Sequence, residues 1–194
     1  MRLVNVVAVA ALALGALGLG ACAKRSTSDR DREPPESVTR TRDPESAIDS
    51  KLMLALSQAK NLHHKAKVYT SDGNTAAAIE SVREILSLSF PPNAPEAEDV
   101  RNDARALLAR LLVGQGQLDA AMHVVTEGLG QSQRESFFVA NLHTVQGEIL
   151  EEQAKAADAT DKPRATELRH AAIDAYDASN RIDAKLQAQL LEHP

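Results

Sequence analysis

The chain has 194 residues, of which 27 are acidic and 22 are lysine or arginine, and its formal net charge is -5. An acidic body repels polyanions, so the composition argues against nucleic acid and anionic lipid headgroups as its partners. With no tryptophan and only five other aromatic residues, the core is expected to be aliphatic, and a single cysteine excludes an intrachain disulfide.

The first 22 residues have the order of parts that is typical of a bacterial secretory signal. A basic Arg2 is followed by an apolar run from Leu3 to about Leu14 and then by small residues. The run ends in Leu19-Gly20-Ala21-Cys22, which resembles the lipobox of bacterial lipoproteins. The resemblance implies that residues 1–21 are a signal peptide and that the mature chain begins at an acylated Cys22, which holds it on the lipid bilayer.

Two other interpretations fit the same residues. An apolar run of roughly 20 residues is long enough to be an uncleaved membrane anchor, although glycine and alanine crowd its end. A cysteine can also follow an ordinary signal peptide by chance, but acylation accounts for an otherwise unpaired thiol on an exported protein. Because Ala23 and Lys24, rather than an aspartate, follow the cysteine, the lipoprotein resemblance implies the outer membrane, with the protein facing the periplasm.

A charged segment separates the cysteine from the rest of the chain. Residues 22–45 contain alternating charges and almost no apolar side chains, so we predict a disordered tether. Flexible-chain scaling gives about 23 residues a reach on the order of 26 Å. The alternative is a phosphate or headgroup site built from Lys24, Arg25, Arg30 and Arg32, but acidic residues interrupt that set.

Residues 46–194 are predicted to form one all-α domain. Their apolar residues recur at helical spacing, and no stretch alternates like a strand. Glycine, proline and capping residues divide the domain into six predicted helices. These run from Ser46 to about Thr70, from Thr75 to about Leu88, from Pro95 to Gly114-Gln-Gly116, from Gln117 to about Glu127, from Ser136 to about Ala157, and from the end of a break at Asp161-Lys-Pro163 to about Leu191.

The predicted helices repeat a sequence pattern. The segment from Gly73 to Leu86 aligns without a gap with the segment from Gly116 to Leu129, and Ala172 to Asp183 repeats the second half of both. In the helix before each copy, a small residue precedes a larger one by three positions: Ala66 and Tyr69, Ala109 and Leu112, and Gly147 and Leu150. Such pairs let two helices approach closely.

This pattern resembles the tetratricopeptide repeat, a helical hairpin that stacks into a solenoid. The resemblance implies about three hairpins. The aligned alanines, Ala78, Ala121 and Ala172, are 43 and then 51 residues apart, against about 34 in the family, and the tryptophan typical of the family is missing. An unrelated helical bundle is the alternative.

The sequence offers little catalytic chemistry. His63 and His64 are adjacent and so point in different directions on a helix, and no His-x-x-x-His pair is present. The turn Gly114-Gln-Gly116 lacks the third glycine of a dinucleotide loop. Glu148, Glu151 and Glu152 lie within about one helical turn, but a nearby lysine favours a solvated face. We therefore expect no enzyme activity, no cofactor and no metal.

Protein binding is the activity that the tetratricopeptide resemblance implies. In that family the first helix of each hairpin lines a groove. The corresponding charged and polar positions are Lys60, His63 and Lys67 in the first predicted helix, Asp103 and Arg110 in the third, and Asn141 and Glu148 in the fifth. Ala106 and Thr144 are predicted to share this face. An ordinary solvated helix surface is the alternative.

These expectations combine into one functional hypothesis. The chain is predicted to be a periplasmic lipoprotein that binds a protein partner in the cell envelope and acts as an adaptor in the assembly of an outer-membrane or envelope complex. The alternative is a regulator that recruits a soluble cell-wall or stress-response enzyme to the membrane. A module that only packs inside a larger complex is a third interpretation.

Overall fold

A computed structural model describes residues 44–192, with side chains from residue 50 onward. These residues form six α-helices and no strand, which confirms the predicted all-α class for this part of the chain. The helices are α1 (Pro44–Ser71), α2 (Thr75–Ser87), α3 (Pro95–Gly114), α4 (Leu118–Gln131), α5 (Phe137–Ala157) and α6 (Lys162–Glu192). The predicted signal peptide, Cys22 and the tether up to residue 43 lie outside the described residues.

Local sequence signals account for the starts of α2, α3 and α5. The side chain of Asn74 accepts a hydrogen bond from the backbone N–H of Ala77 and caps α2, and Ser136 caps α5 in the same way through Val139. Pro95 stands in the first turn of α3, where its missing N–H costs nothing. α1 begins two residues earlier than predicted and includes the end of the segment that we had assigned to the tether.

The predicted end of α4 is wrong. We expected this helix to stop at about Glu127 because Gly128 and Gly130 follow, but it continues through both glycines to Gln131. Gly128 is buried, and a methyl group added there would come within 2.9 Å of the side chains of Arg105 and Leu142. The glycine is therefore explained by close packing and not by the helix end.

The turns that close the first two hairpins share two backbone hydrogen bonds at equivalent positions. Gly73 and Gly116 both adopt the left-handed conformation, with φ of 73° and 72°, which glycine adopts without steric cost. The next residue in each turn donates back to the helix, Asn74 to Tyr69 and Gln117 to Leu112. The third turn contains no glycine; Asp161 instead accepts a hydrogen bond from the N–H of Arg164.

The helices pack as three consecutive hairpins, α1 with α2, α3 with α4, and α5 with α6. Between hairpins, α2 contacts α3, α4 contacts α5, and α3 also contacts both α1 and α5. Within the described part of the chain, the helices of the first hairpin make no contact with those of the third. The second hairpin therefore joins the other two.

Every buried apolar side chain that the structure describes is aliphatic, as the composition predicted. The main cluster runs through α1 to α5, and a smaller one joins Val139 and Ala140 of α5 to Ile182 of α6. The aligned small residues Ala66, Ala78, Ala109 and Ala121 are completely buried. Alanine at these positions allows the helix backbones to approach each other.

The third hairpin has the closest contact between small and large residues. Gly147 of α5 is buried beneath the ring of Tyr176 of α6, and a methyl group at Gly147 would lie 2.6 Å from that ring. The wider spacing before the third aligned alanine, Ala172, is explained by long helices, since α5 has 21 residues and α6 has 31. None of the helices that the structure describes combines the length and the apolar character needed to cross a bilayer.

Candidate protein-interaction surface

The seven predicted binding residues lie on the first helices of the three hairpins, and we call this set the first-helix face. It comprises Lys60, His63 and Lys67 of α1, Asp103 and Arg110 of α3, and Asn141 and Glu148 of α5. The hairpin order brings α1, α3 and α5 into succession. Five of the seven side chains then contact one another across helices.

The contact between α1 and α3 joins a histidine to a carboxylate. Nδ1 of His63 lies 3.2 Å from Oδ2 of Asp103, and both side chains are partly exposed. The contact is an ion pair when the imidazole is protonated and a hydrogen bond when Nδ1 carries the only ring proton. In either form the contact links α1 to α3 through polar side chains.

A denser polar network joins α3 to α5. Arg110 donates through Nε to Glu148 at 2.9 Å and through Nη2 to the other carboxylate oxygen at 3.1 Å. The same Nη2 donates to Oδ1 of Asn141 at 3.1 Å. This bidentate arrangement matches the planar guanidinium to the carboxylate, so the charges of this part of the face are satisfied within the protein.

The two lysines of the first-helix face differ from these residues. Lys60 and Lys67 are exposed and form no ion pair within the described part of the chain. Both line an open cavity of about 310 Å³ together with His63 and His64, and its floor is apolar, with Leu56, Ala59, Ile85 and Val100. This end of the face therefore offers free cationic groups beside apolar surface.

Two further residues that we expected on this face are placed elsewhere. Ala106 is buried in the main core and is only 1% exposed. The hydroxyl of Thr144 lies 3.0 Å from the hydroxyl of Ser179 in α6, so it faces its own hairpin partner. Helical spacing alone did not separate the outer from the packed side of these helices.

Sequence reasoning missed the buried polar contacts between α3 and α4. Arg105 is 7% exposed and donates to Glu127 at 3.1 Å and to Gln131. Asn102 donates to the hydroxyl of Ser132 at 2.9 Å. The available signal was the spacing of Glu127 and Gln131, which lie on one side of a helix only if α4 continues past Gly128.

The three clustered glutamates of α5 have three different partners. Glu148 pairs with Arg110, and Glu152 accepts a hydrogen bond from Lys155 at 2.6 Å. Glu151 accepts from the hydroxyl of Tyr176 at 3.2 Å. Burial, together with the negative charge of Glu151, raises the pKa of the Tyr176 phenol above its ordinary value.

Comparisons with known proteins add no name to this arrangement. No protein-family model, curated protein or solved structure matches the chain. Among the described residues, no three histidine, cysteine, aspartate or glutamate side chains come together as a metal-binding group.

Proposed function

We propose that this protein is a lipid-anchored scaffold of the bacterial cell envelope, with a tetratricopeptide-like array that binds a protein partner through the first-helix face. Acylated Cys22 would hold it on the outer membrane, with the helical domain in the periplasm. The partner would be a component of an outer-membrane or other envelope complex. In this proposal the chain supplies a binding surface and a location.

The array part of the proposal is supported by the repeated turns and by the order of helix contacts. Gly73 and Gly116 occupy equivalent turns with equivalent hydrogen bonds. Each hairpin contacts only its neighbours among the described helices, as expected when repeats stack along one direction. A bundle around one common core would also bring the first and third hairpins together.

The binding proposal depends on one observation: some charged side chains of the first-helix face are paired within the protein, and others are not. Arg110, Asn141 and Glu148 are held in a network that orders the surface between α3 and α5. Lys60 and Lys67 remain available beside an apolar cavity. An ordered polar surface next to unpaired cations suits an acidic or carboxylate-bearing segment of a partner protein.

Photo-crosslinking in cells tests the binding proposal. A photoreactive residue at Lys67 is expected to capture a specific envelope protein, identified by mass spectrometry. The matched control is Arg83, which is exposed on the second helix of the same hairpin and is expected to give no such product. Capture of a channel or assembly component supports the scaffold, whereas capture of a soluble hydrolase supports the alternative of a recruiting regulator.

Loss of the product captured at position 67 is expected after Lys60→Glu substitution if the free cation at position 60 contacts the partner. Equal capture at both photoreactive positions, or a product that does not respond to this substitution, would contradict binding through the first-helix face.

The anchor is tested separately. Cys22→Ser is expected to abolish acylation, and mass spectrometry of the N-terminal peptide reads this directly. An N-terminal peptide of the unsubstituted protein with no acyl mass on Cys22 would overturn the anchor proposal.

A further inference from the structure

The charge of the chain is distributed unevenly between α1 and the other helices. α1 carries four lysines and two histidines against two acidic residues, Glu45 and Asp49, both of which stand before Ser50. From Asp72 to Glu192, eleven lysines and arginines stand against twenty aspartates and glutamates. The net negative charge, which argues against an anionic partner, therefore does not describe the surface of α1.

The side of α1 that faces away from the core also exposes apolar residues. Ala55, Ala59 and Ala66 are buried, and they share one side of the helix. Met53, Ser57, His64 and Val68 follow the same spacing on the opposite side, which we call the outer face of α1. Met53 is 65% exposed and Val68 is 60% exposed, and Leu54, beside them, is exposed as well.

Lysines flank the outer face on both sides. Lys60 and Lys67 lie along one edge, seven residues apart, and Lys65 lies along the other. Lys65 is partly engaged, with Glu84 at 3.9 Å and the Tyr69 ring at 5.9 Å. Lys60 and Lys67 form no ion pair within the described part of the chain. Of the nearby acidic groups on other helices, Asp103 already contacts His63.

We propose that the outer face of α1 docks on an anionic phospholipid surface, which orients the helical domain on the membrane that holds its anchor. Exposed apolar side chains between rows of lysine match the acyl boundary and the headgroups of such a surface. The inference rests on the proposed anchor at Cys22, because the predicted tether ends where α1 begins. A reach on the order of 26 Å keeps α1 close to the bilayer.

The acidic remainder of the domain strengthens the orientation. Helices α2 to α6 carry the excess of carboxylates, so an anionic surface repels them while it attracts α1. A single acyl anchor leaves a domain free to rotate, whereas an anchor and a basic surface together restrict it. In this orientation the α3 and α5 residues of the first-helix face are turned toward the protein partner, and Lys60 and Lys67 lie at the border between the lipid and that partner.

Fluorescence quenching on vesicles tests the proposal. The purified full chain carries a genetically encoded fluorescent amino acid at Ser57, on the outer face, or at Asn180, which is exposed on α6. It is reconstituted into phosphatidylcholine vesicles with or without phosphatidylglycerol, each doped with a headgroup-labelled quencher lipid. We expect quenching at position 57 only with phosphatidylglycerol, its reversal by high salt, and no such response at position 180.

Charge variants provide the matched control. Lys60→Gln, Lys65→Gln and Lys67→Gln together are expected to lower the ratio of docked to undocked protein on the order of a hundredfold, from about fivefold per lysine. Lys162→Gln, Arg181→Gln and Lys185→Gln change the net charge equally on α6 and are expected to leave the ratio nearly unchanged. Circular dichroism of both triple variants verifies that they remain helical.

Three results would overturn the inference. One is equal quenching at positions 57 and 180. Another is quenching at position 57 that ignores lipid charge. The third is a loss of quenching at position 57 on vesicles of phosphatidylcholine alone as the density of protein on the vesicles increases. That result would show that a second copy of the chain covers the outer face of α1. The fluorescent label is not attached at Cys22, so the anchor and the lipid contact are tested independently. An unacylated N-terminal peptide would refute the anchor, and quenching at position 57 would still show whether the outer face of α1 contacts lipid.

Discussion

The first and third hairpins follow the same repeat pattern but build their junctions and surfaces differently. In the first, Ala66 of α1 and Val82 of α2 correspond to Gly147 and Tyr176 of the third, and both are completely buried. Most lysines of α1 form no ion pair among the described residues. In the third, Gly147 lies beneath the aromatic ring of Tyr176, and the phenol bonds to Glu151. One sequence pattern therefore yields an apolar junction with free surface charge and an aromatic junction with paired charge.

This difference shows why aligned repeat positions do not imply equal roles. A smaller residue on one helix permits a larger one on its partner, so the pair of residues is the structural unit. The hydroxyl of the larger residue then needs a polar partner, which draws a carboxylate of α5 into the junction. The following predictions test the contrast, beginning with the largest expected effect.

The junction of the third hairpin is expected to be the most sensitive position. Gly147→Ala places a methyl group 2.6 Å from the Tyr176 ring, so overpacking should lower the free energy of unfolding by about 1–3 kcal/mol. Adding Tyr176→Val converts the junction to the Ala–Val pair of the first hairpin and should recover much of the loss. Urea unfolding measures both variants.

Gly130→Ala is the control for the glycine prediction. This glycine is helical and has no atom within 4 Å of an added methyl group, so alanine should stabilise α4 by up to about 1 kcal/mol through helix propensity. Equal effects of alanine at positions 147 and 130 would refute the packing explanation.

The helix caps offer a second comparison between the hairpins. Asn74→Ala removes the acceptor for the Ala77 N–H at 3.1 Å, and Ser136→Ala removes the acceptor for the Val139 N–H at 3.3 Å. Each loss should cost about 1 kcal/mol, measured by thermal unfolding. We expect the greater loss at Ser136 because it is buried, so water cannot readily replace the acceptor. Ser136→Asp, which keeps an acceptor, should retain more stability.

The paired charges between α3 and α5 and the unpaired lysine of α1 should differ in their contribution to stability. A double-mutant cycle on Arg110 and Glu148 should give about 0.2–1 kcal/mol at low salt and less at high salt, because the pair is partly exposed. Lys60→Ala should change the free energy of unfolding by less than the Arg110 substitution. A larger effect at Lys60 would mean that its charge has a structural role.

The smallest expected effect is a loss of stability at alkaline pH. Folding raises the pKa of the Tyr176 phenol above 10.0. As pH rises from about 10, the phenol therefore loses its proton more readily in the unfolded chain than in the folded chain, and the free energy of unfolding falls. Tyr176→Phe should remove that part of the loss. Glu151→Gln should lower the pKa of Tyr176, followed by tyrosinate absorbance, whereas Glu152→Gln, whose partner is Lys155, should change it little.

Much of the helix pattern could be predicted because its signals are local. Asn74, Pro95 and Ser136 act within a few residues of the helix starts that they specify, and they act as expected. Gly128 misled the prediction because its role depends on Arg105 of another helix. A glycine that ends a helix and a glycine that admits a neighbouring side chain look the same in a sequence.

The candidate surface was predicted in part for the same reason. Helical spacing within α1, α3 and α5 selected residues that contact one another across the hairpins, including Arg110 and Glu148. Spacing could not exclude Thr144, which bonds to Ser179 of α6 instead. Which side of a helix is covered depends on how the next helix packs against it, and that packing involves residues distant in the sequence.

The sequence by itself determined the all-α class, the repeated turns and the aliphatic core, because propensity, capping and apolar periodicity act over a few residues. Only the tertiary structure decided that Gly147 packs beneath Tyr176, that Arg110 is neutralised by Glu148, and that Lys60 and Lys67 have no ion-pair partner among the described residues. The physical reason is that charge pairing and close packing depend on the register between helices, which no single segment of the chain specifies.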